Sequence, residues 1–204
     1  MVTYAIYNLL PWYQVTHKPI SELSTKTVTH STDTPDESNL DDACSRYEVA
    51  AEKPRKIRIE SIGVDTCIQP VGIDQNKAVA VPSSIYLTGW YVDSVLPGQK
   101  GNSIIDGHVS GRYGKAVFAD LKYLQVGNKI TIQYGDLTEK TFKVVETKRY
   151  KVSKAGEELF RQRDDIERQL TLITCGGRFD NKLQAYDKRT IVRASINVQT
   201  REEN

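Results

Sequence analysis

Alternation of apolar and polar positions dominates this chain from about residue 55 onward. Ile57 and Ile59 alternate with charged residues in KIRIESIGV, a first predicted strand ended by Gly63. Thr66 to Val71 reads as a second strand, Val79 to Val81 as an extended stretch before Pro82, and Ser103 to Asp106 as a buried strand after the turn-rich LPGQKGN. Asn128 to Tyr134 and Lys140 to Val152 alternate again. Residues 169 to 174 and Thr190 to Val198 are rich in β-branched residues. Helical spacing occurs twice, over Ala116–Leu124 and over the charged Ala155–Arg168. Many short strands with few helices predict a mainly β fold, a closed or nearly closed barrel of about eight strands.

Two segments precede that pattern. Residues 1–20 are apolar only from Val2 to about Tyr13, short of the roughly 20 residues a spanning helix needs, and they lack the basic start and cleavage site of a signal peptide. Tyr4, Tyr7, Trp12 and Tyr13 fit two readings equally: the outer end of a membrane anchor, or a segment docked at an interface or on the core. Residues 21–55 are rich in Ser, Thr, Asp, Glu and Lys, a composition expected of a flexible stalk, with a short helix allowed over Leu40–Ala51. Residues 56–200 then form the globular domain.

Composition narrows the function. A net charge of +2 and the absence of any basic block interleaved with aromatics argue against nucleic acid. Three cysteines, Cys44, Cys67 and Cys175, neither form an even disulfide framework nor stand at zinc-ribbon spacing, and His17 and His30 lie in the polar tail, so no metal is expected. Cys67 on a strand reads as a small core residue; pairing with Cys44 in an oxidising compartment is the minor alternative. The acids Glu157, Glu158, Asp164 and Asp165 alternate with Arg161, Arg163 and Arg168, which predicts a solvated face with internal ion pairs rather than a calcium site.

The candidate chemistry lies in LTLITCGGRFDNKLQAYDKR, residues 170–189. A strand delivers Cys175 into Gly176-Gly177, whose backbone is free to turn and to approach a ligand. His108 follows the strand of NSIIDGHVSGRYG, and Arg189 opens the last strand. The three supply a nucleophile, a proton carrier and a fixed positive charge. Each has a plain alternative: a buried small thiol, a satisfied strand-end histidine, a solvated arginine.

TLITC followed by Lys188-Arg189 and a β-rich run resembles the signature of sortases, cysteine transpeptidases that join secreted proteins to the Gram-positive cell wall or to pilins. GNSIIDGHV resembles their histidine block and AVFADLKYLQVGNKITI the segment after it, so the similarity spans roughly residues 55 to 200. The GHV block, CGGRFD and the lack of an obvious lid are most similar to classes E and F, F preferred. Ser110 departs, because many of that group carry an acid there.

The resemblance implies a sortase-type barrel in which the Cys175 thiolate attacks a carbonyl of an LPXTG-like sorting signal and forms a thioacyl-enzyme. His108 protonates the leaving amine and later deprotonates an amine of peptidoglycan or a pilin. Arg189, with a backbone N–H near Gly176, steadies the oxyanion or the signal. Thr174, Gly176, Val81 and Pro82 are the implied substrate-binding positions. No cofactor is needed. The implied location is the extracellular face of the membrane of a Gram-positive-type bacterium, with an N-terminal anchor as the only membrane contact.

The arginine is selected by two observations. Val192, Ala194, Ile196 and Val198 share one apolar face expected to point inward, leaving Arg189, Ile191, Arg193 and Ser195 outward. The family pattern, five residues before the alanine of the last strand, then favours Arg189 over Arg193. Three rivals stand beside this reading: a peptidase that hydrolyses the signal, a binding barrel that has lost catalysis, and an L,D-transpeptidase, whose Ser/Thr-His-Gly-Cys setting is absent here.

Overall fold

The computed structural model describes residues 26–29, 31, 35–37 and 47–196. The aromatic segment 1–20, Cys44, most of the 40–51 stretch and Val198 lie outside the described residues. Eight strands follow in chain order: β1 (Pro54–Ile59), β2 (Val64–Val71), β3 (Thr88–Tyr91), β4 (Gly101–Gly107), β5 (Lys129–Tyr134), β6 (Glu139–Lys151), β7 (Arg168–Asp180) and β8 (Ala185–Ser195). They close a barrel in the order β1-β2-β3-β4-β7-β8-β6-β5, as expected from the alternation.

Period-two patterning sets the faces. Ile57 and Ile59, Ile130 and Ile132, Phe142 and Val144, Leu170 and Leu172, and Val192 and Ala194 all turn inward to one core. Phe118, Leu121 and Leu124 join it from the connection between β4 and β5. That connection was expected to be a helix over 116–124. It forms only a single 3-10 turn at Leu121–Tyr123, because Phe118 and Leu121 are drawn into the core and the chain follows them.

The second helix, α1, spans Val152–Phe160 rather than 155–168. Leu159 seats it outside the barrel against Ile104 and Ile191, forming a second, smaller apolar cluster. Beyond Phe160 the chain turns back, and the side chain of Gln169 accepts from the Arg163 N–H and donates to the Arg161 carbonyl, which takes the place of further helical bonds.

Two of the strand pairs, β2–β3 and β4–β7, are parallel. The connection between β2 and β3 runs over the outer face of the barrel, where Ala80 and Pro82 are buried. The described part of the preceding segment also touches the barrel. Val28 bridges Val71, Asp36 bridges Ser84, and Tyr47, only 2% exposed, donates its hydroxyl proton to the Ile68 carbonyl. Residues 47–50 are not helical. Cys67 corrects an expectation: it is fully buried, but it is also disulfide-bonded, to a partner outside the described residues.

Candidate active site

β7 passes through Cys175 instead of ending there. It continues to Asp180, with a shift of register between Gly176 and Phe179 where the glycine pair bulges. Gly177 adopts φ +83°, and a side chain on it would collide with Asp187, whose carboxylate caps the Arg178 N–H at 2.7 Å. The pair thus bulges the β7–β8 hairpin directly after the thiol. The last strand starts at Ala185 for the same reason, earlier than the sequence pattern marks it.

Cys175 pairs directly with Arg189 across β7 and β8. Arg189 is half-buried, and its guanidinium donates to the carbonyls of Lys188 (2.9 Å) and Tyr186 (3.2 Å). These bonds hold a fixed cation beside the thiol. β4, the other neighbour of β7, ends at Gly107 and presents His108. The Thr174 hydroxyl donates to the Gly107 carbonyl at 2.7 Å and ties the end of β4 to β7. His108, Cys175 and Arg189 therefore sit on three adjacent strands at one end of the barrel.

His108 Nε2 lies 3.0 Å from the Pro82 carbonyl. A carbonyl can only accept, so Nε2 carries the proton and Nδ1 is the nitrogen free to exchange one. Burial lowers the histidine pKa below its usual 6.5, an effect the Pro82 carbonyl partly offsets. Burial pushes the Cys175 thiol above 9.0; Arg189 opposes that shift and Asp106 adds to it. Both shifts favour the neutral thiol–imidazole pair.

The four implied substrate positions fall differently. Pro82 touches His108 through its carbonyl, and Val81 precedes it on the same segment. Thr174 is buried in the strand-end tie. Gly176 lies against Thr190, where an added side chain would meet the threonine hydroxyl at 2.8 Å. Thr174 and Gly176, with Cys175 between them, also line a cleft of about 330 Å³.

Arg193, the other arginine of that face, is fully buried. It binds Glu146, the Glu158 carboxylate (2.8 Å) and the Glu158 carbonyl (2.7 Å), clamping α1 to β6 and β8. Its outward direction holds, but α1 covers it, so it faces no groove. Glu158 accordingly serves this clamp as well as its surface pair with Arg161.

Asp106 is the residue the sequence reading passed over. It stands on the outer face of β4, opposite Gly89 on β3 and Ile173 on β7, two residues before His108. It is 5% exposed, and its Oδ1 has no hydrogen-bond partner among the described residues. Gly89 makes room for it, since a Cβ there would lie 2.5 Å from Oδ1. Burial raises its pKa well above the usual carboxylate range. The only sequence signal was an acid inside the apolar run SIID. Ser110, the departure noted in the histidine block, bonds the Tyr186 hydroxyl at 2.9 Å and so links the loop after His108 to the β7–β8 hairpin. Among the described residues no group of histidine, cysteine and acidic side chains could hold a metal ion.

This barrel brings a thiol, an imidazole and a guanidinium to three adjacent strands, and its fold is that of the sortases. The sortase domain family matches residues 57–197, and the chain belongs to that family. Similar solved structures include a Clostridium perfringens sortase D5 transpeptidase, 24% identical, with a TM-score of 0.52 over 74% of this chain and 82% of that one. A lid mutant of sortase A from Corynebacterium diphtheriae is 22% identical (TM-score 0.53; 76% and 73% covered). The pilus-related sortase C of Group B Streptococcus is 21% identical (TM-score 0.52; 85% and 79% covered). At these identities the likeness is one of fold. No curated protein matches the chain.

Proposed function

We propose that this sortase cleaves an LPXTG-like sorting signal through a thioacyl-enzyme on Cys175 and passes the acyl group to an amine of peptidoglycan or a pilin. The observation that carries the reading is the cross-strand pairing of Cys175 with Arg189, with His108 delivered by the neighbouring strand. The thiolate adds to the scissile carbonyl, and the Arg189 guanidinium stabilises the oxyanion. His108 gives its proton to the departing amine, which leaves as the thioester forms. The acceptor's neutral amine then adds to the thioester carbon, yields its proton to His108 and expels the Cys175 thiolate.

The shifted pKa values fit this scheme as a reverse-protonated pair. With ordinary values near 6.5 and 8.5, at most about 1% of molecules carry thiolate and imidazolium together, and the shifts here reduce that further. Val81, Pro82, Thr174 and Gly176 are assigned to the walls that hold the signal. Residues 56–200 are assigned as the catalytic domain. GHV and CGGRFD support classes E and F, with F preferred, in this reading. A location on the extracellular face of a Gram-positive-type membrane agrees with the disulfide at Cys67, a bond kept in oxidising compartments. No helix among the described residues is long and apolar enough to cross a membrane.

Incubation with LPXTG-type peptides followed by intact-mass analysis tests the proposal. The expected adduct is the acyl fragment on Cys175, released by an added amine. Unmodified enzyme with every signal peptide, while iodoacetamide still alkylates Cys175, would overturn it.

A further inference from the structure

The cleft beside Cys175 has a chemical character of its own. Its floor is Thr174 and Thr190, which pair across β7 and β8. Arg149 on β6 pairs with Thr190, so its side chain rises from the same face at the mouth of the barrel. Lys115 and Lys122 reach the cleft from the connection between β4 and β5. Lys115 is matched by Asp120 at 2.8 Å. Lys122 and Arg149 have no carboxylate partner among the described residues, and Asp120 is the only acid in the lining. The cleft therefore carries two unmatched cations and has Cys175 in its lining.

The surface below Cys175 on the other side is different. Ile173, Val79 and Tyr91 lie there on the small apolar cluster, a surface suited to the nonpolar side chains of a signal peptide. Once the acyl group occupies that side, the polar cleft is the opening left to a second substrate. Two nearby cations disfavour an ammonium and favour the free amine that attacks. They also supply partners for an anion carried by the same molecule.

We propose, on the transpeptidase reading above, that this cleft is the acceptor site and that it selects an amine bearing a free carboxylate, as in an amino acid or a short peptide with an open C-terminus. Lys122 and Arg149 bind the carboxylate while the amine reaches the thioester at Cys175. The volume, about 330 Å³, accommodates a residue or two of such an acceptor.

The test uses the full chain, an LPXTG-type peptide as acyl donor, and two acceptors of similar basicity, glycylglycine and glycylglycinamide, with products quantified by mass spectrometry. The expected result is a preference of about fivefold for the free carboxylate, the size that two exposed ion pairs supply together. That preference should fall toward one in about 1 M salt, where screening acts within about 3 Å. It should also fall toward one in the Lys122→Gln/Arg149→Gln variant. A thioacyl-enzyme that takes both acceptors equally, or a preference unchanged in the double variant, overturns this inference alone. Failure of any signal peptide to acylate Cys175 overturns the transpeptidase reading and this inference with it.

Discussion

Asp106→Asn removes the buried carboxyl whose ionisation opposes that of the Cys175 thiol. The Asp106 backbone sits opposite Ile173, and Cys175 lies two residues further along β7. Strands about 4.8 Å apart and a rise of about 3.3 Å per residue put the two Cα atoms about 8 Å apart. At an effective dielectric of about 20, unit charges at that distance interact by about 2 kcal/mol. Partial exposure of the thiol reduces this, leaving a thiolate fraction that rises about tenfold at a given pH when the carboxylate is removed. Burial already sets the wild-type thiol above 9.0, and the Asp106 carboxylate adds to that shift wherever it is ionised. The rate of Cys175 alkylation by iodoacetamide as a function of pH reads the effect. Cys67 is held in its disulfide and does not compete.

The same variant has a stability signature of determined sign. The folded-state pKa of Asp106 is raised above its unfolded value, so the folded state binds the proton more tightly. Both states are protonated below the unfolded pKa of about 3.9, and no ionisation penalty exists there. The penalty grows as pH rises from that value toward the folded pKa. Asn avoids it, so the variant should be more stable by about 1–3 kcal/mol at neutral or alkaline pH, a few degrees in midpoint, and should gain nothing near pH 3. An unshifted alkylation profile, together with the same midpoint change at both pH values, would refute the placement of a strained carboxylate beside the site.

Cys175→Ala should abolish thioacyl formation without lowering the unfolding midpoint; turnover surviving in it would end the mechanism. Arg189→Lys should cost about a hundredfold in turnover, since one ammonium cannot reproduce a fixed planar fork, measured as kcat/KM on the folded variant. Arg193→Ala should instead destabilise by about 3–5 kcal/mol by leaving Glu146 and Glu158 without their buried partner, a loss read by thermal unfolding. The pH profile of kcat/KM should be a bell, its lower limb below 6.5 because His108 is depressed and its upper limb above 9.0 because Cys175 is raised. Removal of residues 1–50 should lower the midpoint, since Val28, Asp36 and Tyr47 all bond the barrel; an unchanged midpoint would show those contacts to be without weight.

What was legible in the sequence was local, and what was hidden depended on neighbours distant in the chain. Ile57 with Ile59, and Val192 with Ala194, declare their faces by alternation alone, and Cys175 and His108 are marked by the short motifs around them. The limits of the strand that carries the thiol are different, because a glycine pair reads equally as an end or as a bulge. Only the contact of Gly177 with Asp187, ten residues on, settles it as a bulge. Arg193 was correctly given an outward direction, yet direction along one strand cannot say that α1 will lie over it and turn a surface cation into a clamp. Composition likewise says nothing of single contacts in the polar tail: Val28 and Tyr47 are few among many polar residues, but each finds a backbone partner on β2 or beside it. Asp106 was hidden most deeply. In the run SIID it looks like the polar end of a strand, and its cost arises only once the barrel closes around it, with Gly89 of β3 against its carboxylate. A polar group left unsatisfied under cover, beside a thiol held neutral by burial, is a feature of the assembled barrel and not of any stretch of its sequence.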